Sequence, residues 1–461
     1  NPSMRMRSCA RPAAGALLAL LLAGPPALAE TLEEALIQSY TTNPELSAQR
    51  ARLRATDEEV AIALGGWRPN LRLRGDAFLR HQRVDENVRN ETQKQEFTDE
   101  GFRPGVNLRL TQPLYSGGET VARTRRAENT VLAERARLTA REQQVFNDVV
   151  ETYSAVLRDA ETLALAEDNV RRLREALDAA QRRFSVGEVT RTDVDQAISR
   201  LARGQADLTA AQANLEDSTA AYERAVGRLP GRLLPAPLAQ GLPQNLREAY
   251  GRIDDHPEVI AARYEAAAAE DAVEVARAAI RPTLDLAGEL SYNREPSALV
   301  DRSREAAVGL TLNVPLYQGG GEYARVRQAR QQAQQRQGDL ERAQRIVREE
   351  IKSSWEALAA ARERIAFTVR QVEGAERALE GVRRESVLGS RTILDVLDAE
   401  QELFSARVNL ARTRRDELFN GYRLKAAVGD LTVPSLALPV EPYDADAYYR
   451  ANRNRLFGTG D

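Results

Sequence analysis

The sequence predicts a mainly α-helical chain with a small β part, built twice from one plan. Three observations carry this. Apolar residues recur every seven positions through two long stretches. Short stretches of strict apolar/polar alternation precede each of them. The whole arrangement repeats at a nearly constant offset: Gly187, Thr190 and Asp193 stand 202 residues before Gly389, Thr392 and Asp395. A seven-residue apolar period means helices packed knobs-into-holes, and alternation means strands with one apolar face. Composition agrees, since 461 residues with 29% charged and only 5% aromatic suit narrow apolar seams better than one wide core.

Residues 1–29 are expected to be a secretory signal with a few upstream residues. Arg5, Arg7 and Arg11 precede an apolar run from Ala13 to Ala23, and Ala27-Leu28-Ala29 is a small-x-small cleavage site before Glu30. The run is too short to span a bilayer as a helix. Cys9, the only cysteine, would leave with the signal, and the cleavage site has no cysteine for a lipid anchor. Losing three arginines takes the net charge from −3 to about −6, which gives no reason to expect nucleic acid. No later stretch has the ~18 apolar residues of a membrane-spanning helix.

The first repeat is expected over 30–228 and the second over 246–429, with a Pro-rich linker at 229–245 and a C-terminal tail at 430–461. The tail carries Pro434, Pro439 and Pro442, then Tyr443, Tyr448 and Tyr449, and either wraps the helices or is partly disordered. Asn43-Pro44 and His256-Pro257 each open a helix; these helices run to about Leu64 and Ile280. Trp67-Arg-Pro69 and Ile280-Arg-Pro282 follow, 213 apart. Leu71, Leu73, Gly75, Ala77 and Leu79 alternate with Arg72, Arg74, Asp76, Phe78 and Arg80, and Leu284, Leu286, Gly288, Leu290 and Tyr292 alternate with Asp285, Ala287, Glu289 and Ser291. After a polar loop, Val106, Leu108 and Leu110, and Val308, Leu310 and Leu312, mark the return strands. Both leave through Pro-Leu-Tyr-x-Gly-Gly, at Pro113 and Pro315, 202 apart, so the first loop is 11 residues longer.

A long helix is expected from Glu119 to Phe184, with a seam at Val149, Val156, Leu163, Val170, Leu177 and Phe184. Its repeat is Ile351, Leu358, Ile365, Val372, Leu379 and Ser386. A shorter return helix, about Arg191 to Val226, has Leu201, Leu208, Leu215 and Tyr222 at the same spacing. The two short helices of a repeat are expected end to end beside the long one. About ten residues per strand suit a tilted transmembrane β-strand, yet four strands cannot close a barrel, for which about eight is the minimum. Either they pack on something soluble or several chains pool them.

Together, Gly389-Ser-Arg-Thr-Ile-Leu-Asp-Val-Leu-Asp-Ala399, Lys425-Ala-Ala-Val-Gly429, the doubled Pro-Leu-Tyr-x-Gly-Gly and the duplicated layout resemble a TolC-type outer-membrane factor over nearly all of the mature chain. The resemblance implies a homotrimer of long antiparallel coiled-coil helices, with an α-barrel in the periplasm and a 12-stranded β-barrel in outer-membrane lipid. It implies a passive exit duct for drug efflux, type I protein secretion or both. The partners are then a periplasmic adaptor (membrane fusion) protein and an inner-membrane transporter of the RND, ABC or MFS type. The alternative is a periplasmic coiled-coil scaffold or adaptor that never inserts. Family members often carry an aromatic three residues before the second-tip glycine; here Ser386 stands there, while Phe184 keeps one in the first tip.

By resemblance Asp395, Asp398, Arg391, Thr392 and Asp193 belong to the entrance constriction. Thr190/Asp193 and Thr392/Asp395 also fit capping boxes. Asp398 has no such explanation, because its counterpart is Gln196, and it shares a helix face with Asp395. Arg391 either pairs across the closed tip or is an exposed turn arginine. Val186, Gly187, Leu388, Gly389 and Ser390 are expected to form the adaptor-docking tips. Trp67, Tyr115 and Tyr317 lie where strands meet helices, as an interfacial aromatic belt or as packing at the joint. His81 and His256, the only histidines, have no neighbours at ligand spacing, and no phosphate-binding glycine loop, nucleophile elbow or zinc motif occurs. Neither enzyme activity, cofactor nor metal is expected.

Overall fold

The computed structural model describes residues 29–86, 95–297 and 300–459. The expected signal and the first polar loop's centre (87–94) therefore lie outside the described residues. The elements run α1 (Leu32–Thr42), α2 (Pro44–Leu64), β1 (Asn70–Glu86), β2 (Gln95–Tyr115), α3 (Glu119–Ser185), α4 (Arg191–Val226), α5 (Leu246–Gly251), α6 (Pro257–Ala278), β3 (Thr283–Ser297), β4 (Val300–Asn313), α7 (Gly321–Val387), α8 (Ile393–Ala427) and α9 (Ala447–Asn452). Helix–hairpin–long helix–return helix thus occurs twice. Short α1, α5 and α9 are additions that periodicity does not reveal. A capping box at Thr31 and Glu34 announces α1: the Glu34 amide donates to the Thr31 hydroxyl at 3.2 Å, and the Thr31 amide to the Glu34 carboxylate at 3.1 Å.

Two compact units cut across both repeats. One holds Val145–Gln240 and Ala357–Arg423 with the segment before Pro44; the other holds Pro44–Gln144, Gly241–Glu356 and the segment from Leu424. In the first unit, Leu173 and Ala180 of α3, Val194 and Ala197 of α4 and Leu397 of α8 form one apolar cluster. Ala375 and Leu379 of α7 meet Leu403 and Ala406 of α8 in another. Gly204 in mid-α4 is required by close approach, because a Cβ there would meet Leu173 Cδ1 at 2.6 Å. Glu30 closes this unit. Its buried carboxylate accepts from the Tyr222 hydroxyl and Arg228 Nη2, each at 2.7 Å, while the Tyr153 hydroxyl donates to the Glu30 carbonyl at 2.9 Å. Tyr153 and Tyr222 are among the largest fully buried side chains, so their hydroxyls need these acceptors.

In the other unit, Val60 of α2 packs on Ala127 and Val131 of α3. Buried Glu134 ties the same helices, accepting from Gln49 Nε2 at 2.7 Å and pairing with Arg52 Nε at 2.9 Å. His256 caps α6, its Nδ1 accepting from the Glu258 amide at 3.3 Å, and burial pushes the imidazole down to about 4, so it is neutral. The sheet order is β1-β2-β3-β4, all antiparallel. These strands are longer than the alternating stretches, at 17, 21, 15 and 14 residues. Backbone pairing needs no apolar side chain, so the ladder continues past the apolar band. Leu71, Leu73 and Leu79 share one face with Val106, Leu108, Leu290, Leu310 and Leu312, while Arg72, Arg74, Arg109 and Glu289 share the other. Most of that apolar face is exposed.

The tail wraps this unit's helices. Tyr449 packs on the Val60–Ala127–Val131 cluster, the Tyr448 hydroxyl donates to Glu58 at 2.9 Å, Arg453 pairs with Glu128 at 2.7 Å and Arg135 pairs with Asp446 at 2.5 Å. Beneath it Asp57 is buried with neither carboxylate oxygen hydrogen-bonded among the described residues. Burial pushes its carboxyl up to about 6; Arg135 opposes this, and Asp446 and Glu58 add to it. The folded chain therefore holds this proton at pH values where the unfolded chain, near the ordinary 3.8, has released it. The stability contribution of this site falls as pH rises from about 4 to 6, by roughly 1–3 kcal/mol. Asp57→Asn is expected to slow amide exchange of residues 443–452 at pH 7.5 and to leave it unchanged at pH 4, after correction for intrinsic rates. Equal exchange in variant and parent at pH 7.5 contradicts this.

Candidate functional site

The two hairpin tips lie in the first unit. α3 ends in a left-handed Gly187 (φ +80°) and α7 in Gly389 (φ +78°). Each end closes as a Schellman motif. Gly187 donates to Phe184 and Glu188 to Arg183; Gly389 donates to Ser386 and Ser390 to Glu385, all at 2.9–3.1 Å. Helix restart uses identical chemistry in both copies. The Thr190 amide donates to Asp193 at 2.8 Å and the Thr392 amide to Asp395 at 2.9 Å. In return the Asp193 and Asp395 amides donate to the threonine hydroxyls at 3.3 and 3.2 Å. The backbone amide of each threonine, followed by its hydroxyl, holds the aspartate's carboxyl below its usual range. Asp193 and Asp395 are helix caps.

Asp398 lies on the first turns of α8 and is partnered. Arg200 of α4 reaches its carboxylate at 2.5 Å, so both return helices start side by side with an ion pair between them. Asp395 and Asp398 therefore do not form a free carboxylate pair: one caps a helix and the other is neutralised. Arg391 pairs with Glu385 of its own tip at 2.9 Å, both half-exposed, a contact worth little by itself. Val186, Gly187, Leu388, Gly389 and Ser390 are exposed, with Val186 at 70% and Leu388 at 83%. Large apolar side chains so open at a turn are surface available to a partner. Trp67, Tyr115 and Tyr317 lie in the other unit, all partly exposed; the Trp67 carbonyl accepts from Gln112 Nε2 at 2.8 Å.

Sequence reasoning missed Arg200 and a second knot behind the tips. Glu400 of α8 is buried between Arg172 of α3, at 3.1 Å, and Arg383 of α7, and Asp168 holds Arg172 at 2.6 Å. One signal was available. At the 202 offset Gln196 corresponds to Asp398, Ile198 to Glu400 and Arg200 to Glu402, so charge departs from the repeat at three alternate positions of the return helices. Among the described residues no group of three or more His, Cys, Asp or Glu could hold a metal ion, and no helix is long and apolar enough to cross a membrane.

The family model for outer membrane efflux proteins matches residues 36–228 and 253–430, one segment in each repeat. The chain belongs to that family. It is 34% identical over 456 residues to the outer membrane efflux protein BepC of Brucella suis, covering 98% of this chain and 97% of that protein. It is 26% identical over 442 residues to the outer membrane protein TolC of Escherichia coli, covering 91% and 87%. The solved outer membrane channel CmeC of Campylobacter jejuni shares the fold with a TM-score of 0.78, at 15% identity over 92% of this chain and 89% of that one. As a family member the chain is an export channel protein of the bacterial outer membrane reaching into the periplasm, and not an enzyme. Membership sets aside the scaffold that never inserts.

The Glu400 knot holds α8 to both long helices. Glu400→Ala is expected to destabilise this region by roughly 1–3 kcal/mol, because two arginines lose a buried partner. Amide exchange over residues 393–403 should accelerate, with Glu400→Gln intermediate. Parent-like protection in Glu400→Ala would remove the knot's structural role.

Proposed function

We propose that three copies form a passive exit duct, with a 12-stranded β-barrel in the outer membrane and an α-helical barrel in the periplasm. The observation that carries this is a four-stranded sheet with an exposed apolar face and two unpaired edge strands. Lipid cannot satisfy an open edge, and four strands fall short of the ~8 a barrel needs. Energy and selection then come from an inner-membrane transporter linked through a periplasmic adaptor. The 34% identity to BepC, an outer membrane efflux protein, favours efflux over protein secretion as the main task.

The adaptor docks at Val186, Gly187, Leu388, Gly389 and Ser390. A bulky residue at either glycine must take a left-handed backbone at a cost of about 1–2 kcal/mol and alters the turn the adaptor meets. Gly187→Leu and Gly389→Leu are expected to abolish export while the protein still reaches the outer membrane. Export that survived both changes would place docking elsewhere.

Asp398 and Arg200 line the entrance, with Asp395, Thr392, Arg391 and Asp193 shaping its rim. Three Asp398–Arg200 pairs around one opening hold their charges largely balanced, so removing one partner exposes the other. In single-channel recordings Arg200→Ala is expected to raise cation selectivity and tighten block by a trivalent cation. Asp398→Asn should weaken both. No change in either variant would mean that this pair does not face the ion path.

A further inference from the structure

The two hairpins share one backbone register. Asn70 pairs with Thr111, and at offsets of 213 and 202 Thr283 pairs with Asn313. Their ends away from the helices differ in chemistry on the apolar face. There the first hairpin sets Leu79 opposite Phe102 and His81 opposite Glu100. At the same offsets the second sets Tyr292 opposite Arg304 and Arg294 opposite Arg302. His81 and Glu100 partner each other, whereas arginines directly opposite one another repel. The first hairpin forms with an apolar pair and an imidazole–carboxylate pair at these positions, so the fold itself does not call for arginine there.

The arginines of the second hairpin sit where the apolar band ends. From the turn toward the helices, this face of β4 reads Arg302, Arg304, Ala306, Val308, Leu310 and Leu312, with about 7 Å between successive side chains. Arg302 and Arg304 are exposed, and Val308 is 81% exposed. Arg304 lies over the Tyr292 ring at 5.8 Å, and an aromatic at the end of an apolar band is where barrel proteins meet the membrane–water interface. Asp285, Glu289, Asp301 and Glu305 alternate onto the opposite face. An open depression of about 430 Å³ starts at Tyr292 and Arg304 and runs over Val106, Leu108, Leu290 and Ala306. Ser291 and Glu305 also touch it.

We propose that the outer end of the β3–β4 hairpin binds the phosphorylated, multiply acylated glucosamine lipid of the outer leaflet, lipid A. A phosphate sits between Arg302 and Arg304, and an acyl chain lies in the depression. Charge selects the headgroup: guanidinium forks present paired donors to a phosphate, and the anion offsets the repulsion between Arg302 and Arg294. The apolar depression selects a lipid over a free phosphate, because an inorganic ion has nothing to place there. Position selects the outer leaflet, since the hairpin turn lies at the strand ends away from the helices, and the helices reach into the periplasm. The first hairpin carries Glu100 and Phe102 in place of Arg302 and Arg304 and offers no such site. This inference rests on the pooled-barrel reading, which puts the apolar face in lipid, and adds to it one lipid site per copy.

The test is native mass spectrometry of the full protein, purified in mild detergent and titrated with lipid A. The same spectra report the trimer separately. The expected result is saturable binding, with Kd raised about tenfold or more in Arg302→Ala/Arg304→Ala. Arg302→Glu/Arg304→Phe should lose as much, and it installs the residues that the first hairpin already tolerates. Arg72→Ala/Arg74→Ala removes the same charge from the opposite face and should leave Kd within about twofold. Lipid A stripped of its phosphates should bind the parent as weakly as intact lipid A binds the variants. Phosphatidylglycerol should bind about tenfold more weakly than lipid A, and excess inorganic phosphate should not displace the lipid. Parent-like affinity in both hairpin variants, equal weakening in Arg72→Ala/Arg74→Ala, or undiminished binding of the dephosphorylated lipid overturns the site. Equal affinity for phosphatidylglycerol, or displacement by phosphate, overturns lipid A as its occupant. Trimers that bind no lipid A overturn the site and leave the pooled barrel standing. Absence of trimers overturns both.

Discussion

The rest of the structure depends on a four-stranded antiparallel sheet whose two outer strands have no neighbour among the described residues. Four antiparallel strands have two outer edges, and each edge carries backbone donors and acceptors that hydrocarbon will not satisfy. The same strands leave Leu71, Leu73, Leu310 and Leu312 exposed on one face among the described residues. In water such a surface invites aggregation; in lipid, once its edges are closed, it is the stable arrangement. On the proposed pooled barrel, further copies of the chain supply what those edges lack. The low aromatic content has a separate cause: the helical units rely on repeated narrow seams.

Much of this was legible in the sequence, and the reason is periodicity. The seven-residue ladder from Val149 to Phe184 placed α3 and, by offset, α7. Val149, Val156 and Val170 are buried, and so are Ile351, Leu358 and Leu379. Alternation placed all four strands but not their lengths, because pairing continues past the apolar band into polar residues that carry no pattern. Caps were legible for the same local reason: Thr190 with Asp193 and Thr392 with Asp395 span three residues. The tip glycines announced left-handed turns that the backbone adopts.

Contacts between the halves were not legible. Arg200 and Asp398 are 198 residues apart, Arg172 and Glu400 are 228 apart, and nothing local marks them as pairs. The tail was equally opaque. Tyr448 and Glu58 are separated by 390 residues, and a Pro-rich, Tyr-rich segment reads alike whether it straps a helix or hangs free. Asp57 was invisible for another reason. In sequence it is one acid among others on α2, and only the packing around it shows that its carboxylate has no hydrogen-bond partner among the described residues.

The departures from the repeat have a physical logic. Residues that serve their own repeat, such as the caps, meet the same surroundings in both halves and keep the same chemistry. A residue on a face where one copy meets the other faces a different surface in each half, so the two versions are free to diverge. Gln196, Ile198 and Arg200 stand where the second copy has Asp398, Glu400 and Glu402, and the ion pairs of the tip region form across that boundary. Duplication supplies two similar surfaces, and charge divergence makes them complementary.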